Sequence, residues 1–284
     1  MTSTVTPPPA PPAPSGPPPS GAGPSTGASR VIAILVIVFG SLVVLGALTS
    51  AVVATIAAAS VHTSSRSVPV DGVTQLDVDV ASGSLRLQFA DVAEAELEVT
   101  SAWGTDRWVL SQEGDTLVVS SPQGFFAGGW LFGGSGDAVL RLPRAVEGAD
   151  ADLTLAAGDL RAEGEFGELG LDLGAGRAVV IGAATDLDAQ VSAGSAELEL
   201  ADVDDVSLSV SAGSLDAQLS GSQPGAIVAD VSAGRLQLTV PDGSYDVTSD
   251  VSAGDFESTV PSSPGARSTI RVELSAGQAT LRVE

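Results

Sequence analysis

The sequence predicts an all-β domain, wound as a β-solenoid in coils of roughly 18–23 residues, behind one transmembrane helix and a disordered proline-rich tail. Three observations predict it. A short phrase ending in glycine recurs from Gly158 to Gly277 at steps of 18, 18, 19, 21, 20 and 23 residues. Apolar and polar residues alternate on both sides of each copy, as in Leu215-Asp216-Ala217-Gln218-Leu219, which is the period of a strand with one buried face. Ahead of the repeats, Val31 to Ala59 runs without a single charged residue.

Apart from Met1 and Val5, residues 1–30 are Pro, Ser, Gly, Ala and Thr with one arginine. Proline removes backbone donors and fixes φ, so this segment favours polyproline II and buries no core. It reads as a disordered cytoplasmic tail. Residues 31–59 would form a helix about 43 Å long, against the roughly 30 Å of a bilayer core. A cleaved signal peptide has an apolar stretch of only about 7–15 residues, although the Ala57-Ala58-Ala59 end does mimic a cleavage site. Gly46, Ser50, Ala54 and Ala58 lie on one helical face, a spacing that suits a dimer seam between two membrane helices. Residues 60–70 are a juxtamembrane linker.

The β domain spans 71–284. Its first part, 71–145, departs from the regular array and reads as an N-terminal cap; 146–284 carries the regular repeats. The tightest copies are Val191-Ser192-Ala193-Gly194, Val210-Ser211-Ala212-Gly213, Val231-Ser232-Ala233-Gly234, Val251-Ser252-Ala253-Gly254 and Leu274-Ser275-Ala276-Gly277. Glycine marks a corner or a close backbone approach. The serines would form a ladder along one corner, capping backbone groups there. The drift in spacing also suits a β-sandwich.

Charge narrows the partners. The 284-residue chain carries a net charge of −23, has no cysteine and no lysine, and has every Asp and Glu beyond residue 70. That field opposes nucleic acid and anionic lipid. The absence of cysteine excludes a disulfide framework and thiolate chemistry.

One local feature stands apart. Phe125, Phe126, Trp130, Leu131 and Phe132 concentrate aromatic bulk between glycines, and form the candidate partner-contact loop or a plug over a thin core. Gly133-Gly134-Ser135-Gly136-Asp137 has the look of a calcium β-roll phrase but occurs once, whereas that chemistry needs tandem copies. The single histidine, His62, assembles neither a triad nor a His metal cluster. No catalytic, cofactor or metal residues are assigned, and the reading is of a protein that is not an enzyme.

The order of these parts resembles the bacterial putative-adhesin family of unknown function. The resemblance rests on the anchor, the Leu76-Asp77-Val78 strand, Gly114-Asp115-Thr116-Leu117-Val118, Leu140-Arg141-Leu142-Pro143 and the serial Ser-Ala-Gly strands. It covers roughly residues 68–284. The charge-free run makes the chain a single-pass cell-membrane protein, and the acidic β domain, which looks like an exported module, puts the C-terminal domain on the extracytoplasmic side. The expected role is a non-catalytic scaffold or adhesin-like module binding cell-envelope polymer or another surface protein. The alternative is an extracytoplasmic sensor or regulator of a cell-envelope stress pathway, signalling through the proline-rich tail. Deleting residues 1–28 separates the two, since only the sensor needs its tail.

Overall fold

The computed structural model describes residues 62–101, 108–121 and 136–284. The predicted membrane segment 31–59, its Gly46, Ser50 and Ala54 face, and the aromatic loop lie outside them. Among the described residues, no helix is long and apolar enough to cross a membrane.

Strand follows strand in the order the alternation predicts. They are β1 (His62–Val68), β2 (Gln75–Val80), β3 (Ser84–Ala90), β4 (Ala95–Ser101), β5 (Val109–Glu113), β6 (Thr116–Ser120) and β7 (Asp137–Pro143). A 3-10 turn, Arg144–Val146, precedes β8 (Asp150–Leu155), β9 (Asp159–Leu173), β10 (Arg177–Val191), β11 (Ser195–Ala201), β12 (Asp205–Val210) and β13 (Ser214–Ser220). The series closes with β14 (Ala226–Val231), β15 (Arg235–Val240), β16 (Tyr245–Val251), β17 (Asp255–Ser258), β18 (Ser268–Leu274) and β19 (Gln278–Val283). Pairing joins them into one open sheet that does not close as a barrel.

The pairing sorts into two rows. In the first, β6, β2, β8, the second half of β9, the second half of β10, β12, β14, β18 and β16 lie side by side, all parallel. In the second row the order is β7, β3, the first half of β9, the first half of β10, β11, β13, β15, β19 and β17. A strand of the first row, a corner and a strand of the second row make one rung. Three antiparallel strands finish the N-terminal end: β5 against β6, β4 against β7, and β1 against β4.

Spatial order departs from chain order at both ends. Rung β2–β3 sits inside β6–β7, and rung β18–β19 sits inside β16–β17. The first and last repeats of the sequence are therefore paired on both sides.

Register turns alternation into columns. Leu155, Leu173, Val191, Val210, Val231 and Leu274 stack on successive strands of the first row, each 2% exposed or less. In the second row Leu160, Ala178, Ala196, Leu215, Leu236 and Ala279 stack likewise, each 4% exposed or less. Mixing Leu with Ala along a column lets large and small side chains interdigitate in a narrow interior. Both rows feed one hydrophobic cluster. Burying each Leu or Val stabilises by about 1.5–3 kcal/mol.

The corners explain the repeated glycine. At Gly176 the backbone has φ +107°, and an added Cβ would collide with the carbonyl of Gly158. Only a residue without a side chain lets the rungs approach to strand spacing, about 4.8 Å. That approach makes the corner a backbone ladder: Arg177 N–H donates to Gly158 O, Ser195 N–H to Gly176 O and Ser214 N–H to Gly194 O, each at 2.9 Å. The serine N–H groups join it, Ser211 to Val191 O and Ser232 to Val210 O, both at 2.9 Å.

The ladder corrects the expected capping role of the serines. Ser192, Ser211, Ser232, Ser252 and Ser275 are exposed, and none of their hydroxyls makes a hydrogen bond among the described residues. Their backbone already finds a partner one rung away, so the side chains are left to solvent.

Candidate binding faces

The strand register places the outward residues of the first row in columns as regular as the core. One column runs Asp150, Glu168, Asp186, Asp205 across four neighbouring strands. A second runs Asp77, Asp152, Gly170, Asp188. A third carries Asp79, Thr154, Asp172 at one end and Asp230, Glu273, Asp250 at the other. Among the described strand residues that face outward in this row, the one arginine is Arg271, beside Val228 and Thr248. Like charges directly opposite one another on neighbouring strands destabilise a sheet, so such columns cost stability wherever nothing neutralises them.

Local contacts temper the repulsion in places. Asp150 Oδ1 accepts the Glu168 N–H at 2.9 Å, and Gln75 Nε2 donates to Asp152 Oδ2 at 3.2 Å. At Asp77 the carboxyl is pushed above its ordinary range, first by partial burial and then by Asp152, Asp79 and Glu113. Gly170 interrupts the second column, leaving a depression of about 230 Å³ walled by Asp152, Glu168, Asp172 and Asp188. No group of three or more His, Cys, Asp or Glu placed to hold a metal ion occurs among the described residues.

The outward face of the second row is mixed. Arg86 and Arg161 are neighbours in one column, Arg177 stands beside Asp159 in the next, and Arg235 and Arg282 follow farther along. Arg141 pairs with Glu98 at 3.0 Å and Arg161 with Glu163 at 2.6 Å. The two faces of the domain thus differ in sign balance, although both are written in the same alternating pattern.

Rung edges carry a second set of polar contacts. Asp202 adopts a left-handed backbone, φ +58°, and its Oδ1 accepts both the Oγ–H of Ser222 at 2.7 Å and its N–H at 2.9 Å. These two bonds, the hydroxyl's first, hold the Asp202 carboxyl below the usual range. Ser121 Oγ accepts the Ala81 N–H at 2.8 Å, doing for rung β2–β3 what a neighbouring corner does elsewhere.

None of the site residues singled out in the sequence is among these. Phe125, Phe126, Trp130, Leu131 and Phe132 lie outside the described residues. The acidic columns were present in the sequence only as alternating acids; their alignment follows from register.

Fold and faces together define an all-β repeat protein with one acidic and one mixed outer surface. No family model matches the chain, and no curated protein matches it either. Among solved structures it is similar to a putative cell adhesion protein from Clostridium sporogenes, at 10% identity and TM-score 0.34, over 79% of this chain and 100% of that one. It is likewise similar to a putative adhesin from Bacteroides fragilis, at 11% identity and TM-score 0.38, over 78% of this chain and 97% of that one. At that overlap neither passes on a ligand or a residue role.

Proposed function

We propose that this chain is a non-catalytic binding scaffold of the cell surface, an adhesin-like β-solenoid carried by a single membrane helix with its repeats outside. The solenoid reading is supported by the parallel, in-register pairing of strands one repeat apart in both rows. The anchor is supported by the charge-free length of Val31 to Ala59.

The observation that carries the binding role is the acidic face of the first row. Aligned carboxylates such as Asp150, Glu168, Asp186 and Asp205 cost stability, and a scaffold with no partner would gain by replacing them. Spread over stacked strands, they suit an extended, cation-bearing envelope polymer or a basic surface of another protein better than a small ligand in a pocket. The test is retention of the full-length protein on a cell-envelope preparation, beside a variant with Asp150, Asp152, Asp186 and Asp188 changed to Asn. Retention should fall with added salt and be largely lost in the variant. Equal retention of both proteins would remove the acidic face from the account.

A further inference from the structure

Rungs inside the stack are bonded along their length on both sides, whereas among the described residues rung β16–β17 pairs with β18–β19 on one side and meets only Ser262 and Ser263 on the other. In a parallel ladder the N–H and C=O of one residue point to one neighbouring strand, and those of the next residue to the other. The Ser252 N–H donates to Leu274 O at 2.9 Å, so the backbone groups of Ser249 and Val251 point away from β18. The Asp255 N–H donates to Gly277 O at 3.0 Å, so those of Phe256 point away from β19. One rung in, Val231 O and Leu274 O each accept the N–H of a corner serine, Ser275 and Ser252. Val251 O is the next acceptor in that column, and nothing among the described residues fills it.

Among the described residues, the chain covers only the far half of this edge. The Ser263 N–H donates to Tyr245 O at 2.7 Å, and the Val247 N–H to Ser262 Oγ at 3.3 Å. The corner half stays open, and its apolar side chains with it. Val251 is 40% exposed and Phe256 half-buried, while Leu274 and Ala279, at the same positions one rung in, are 1% and 2% exposed.

Charge selects the occupant. Asp250, Asp255 and Glu257 flank the open edge and form no ion pair among the described residues, and Asp250 extends the acidic run Asp230, Glu273. A second copy docking by the same end would set these carboxylates against their own counterparts, a common guard against edge-to-edge pairing. We infer that the corner half of rung β16–β17 takes up an extended segment of another protein, in which apolar residues alternate with arginine or lysine. Its backbone pairs with Ser249 and Val251, its apolar side chains cover Val251 and Phe256, and its cations meet Asp250 and Asp255. This inference stands apart from the surface-scaffold reading.

The test uses the full-length chain and a synthetic peptide of about ten residues alternating valine and arginine, with a valine–glutamate peptide as control. In Ser249→Pro the outward N–H is lost but the bonds to β18 are kept, a position where an edge strand tolerates proline. Binding of the basic peptide should weaken about tenfold in Ser249→Pro and in Asp250→Arg, with no binding of the acidic one. In the wild type, hydrogen exchange at the Ser249 and Val251 amides should slow when the basic peptide is added. Should Ser249→Pro fail to fold, Asp250→Arg and the exchange measurement carry the test. Equal binding by both variants without slowed exchange would show attraction to the acidic faces alone and overturn the proposal. So would self-association of the wild-type chain that Ser249→Pro abolishes.

Discussion

The backbone N–H of Ser252 donates to the carbonyl of Leu274 at 2.9 Å, although Leu274 lies later in the chain and closes the final repeat. The last repeat of the sequence is therefore second from the end in space, with β16–β17 outside it. Equivalent positions in the two rungs then differ in what they hold up. Leu274→Ala, at a residue 1% exposed, should cost about 2–5 kcal/mol. Val251→Ala, at a residue 40% exposed, should cost less than about 1 kcal/mol. Urea unfolding of the two variants checks this, and equal losses would contradict the swapped order.

The corner glycines predict a second contrast. Gly176→Ala would drive a Cβ into the Gly158 backbone at φ +107°, whereas Gly72→Ala meets nothing within 4 Å at φ +73°. The open site bears only the left-handed backbone cost, about 1–2 kcal/mol. The stacked site must also push two rungs apart, so Gly176→Ala should lower the unfolding midpoint clearly more than Gly72→Ala.

Tyr245 is the only tyrosine in the chain, so its titration can be followed by phenolate absorbance without overlap. Its ring is buried, and its hydroxyl donates to Pro241 O at 3.0 Å. Burial first, and the charge of Asp242 second, push its pKa from 10.0 up to about 12. Because the folded state holds the proton more tightly than the unfolded one, the associated stability is complete below about pH 10 and is lost as pH rises toward 12. The absorbance step should come at about 12 in the folded protein and move to about 10 in denaturant.

Asp77 works in the opposite sense. Its carboxyl is raised by burial and by neighbouring acids, so the folded state disfavours its charge and gains stability as pH falls through the carboxylate range. Asp77→Asn should therefore stabilise the protein at pH 7 by roughly 0.5 kcal/mol, after allowance for solvent screening. Thermal unfolding at pH 7 and pH 3.5 checks it, since the advantage should shrink at the lower pH.

Much of the interior was legible in the sequence. Alternation around Val210 or Leu215 marks which residues point inward, and the recurring glycine marks the corners where backbones approach. The order of the rungs was not legible. Leu274-Ser275-Ala276-Gly277 and Val251-Ser252-Ala253-Gly254 carry the same pattern, so each fits the same neighbours, and only the closing contacts of Tyr245, Ser262 and Ser263 distinguish them. The serine ladder was misread for a related reason. Its role at the corner was assigned to hydroxyls, but rungs at strand spacing satisfy the backbone directly. The acidic face was half legible: each acid was visible, but the column that brings Asp150 beside Glu168 and Asp186 depends on register. The contrast between the two faces emerges only when the rows separate.

The surface-scaffold account is tested most directly by protease accessibility on intact cells expressing the chain with a tag at each terminus. The account predicts that the C-terminal tag is removed while the N-terminal tag survives. A protected C-terminal tag on a chain shown to be membrane-bound would place the repeats inside the cell, and would contradict the account.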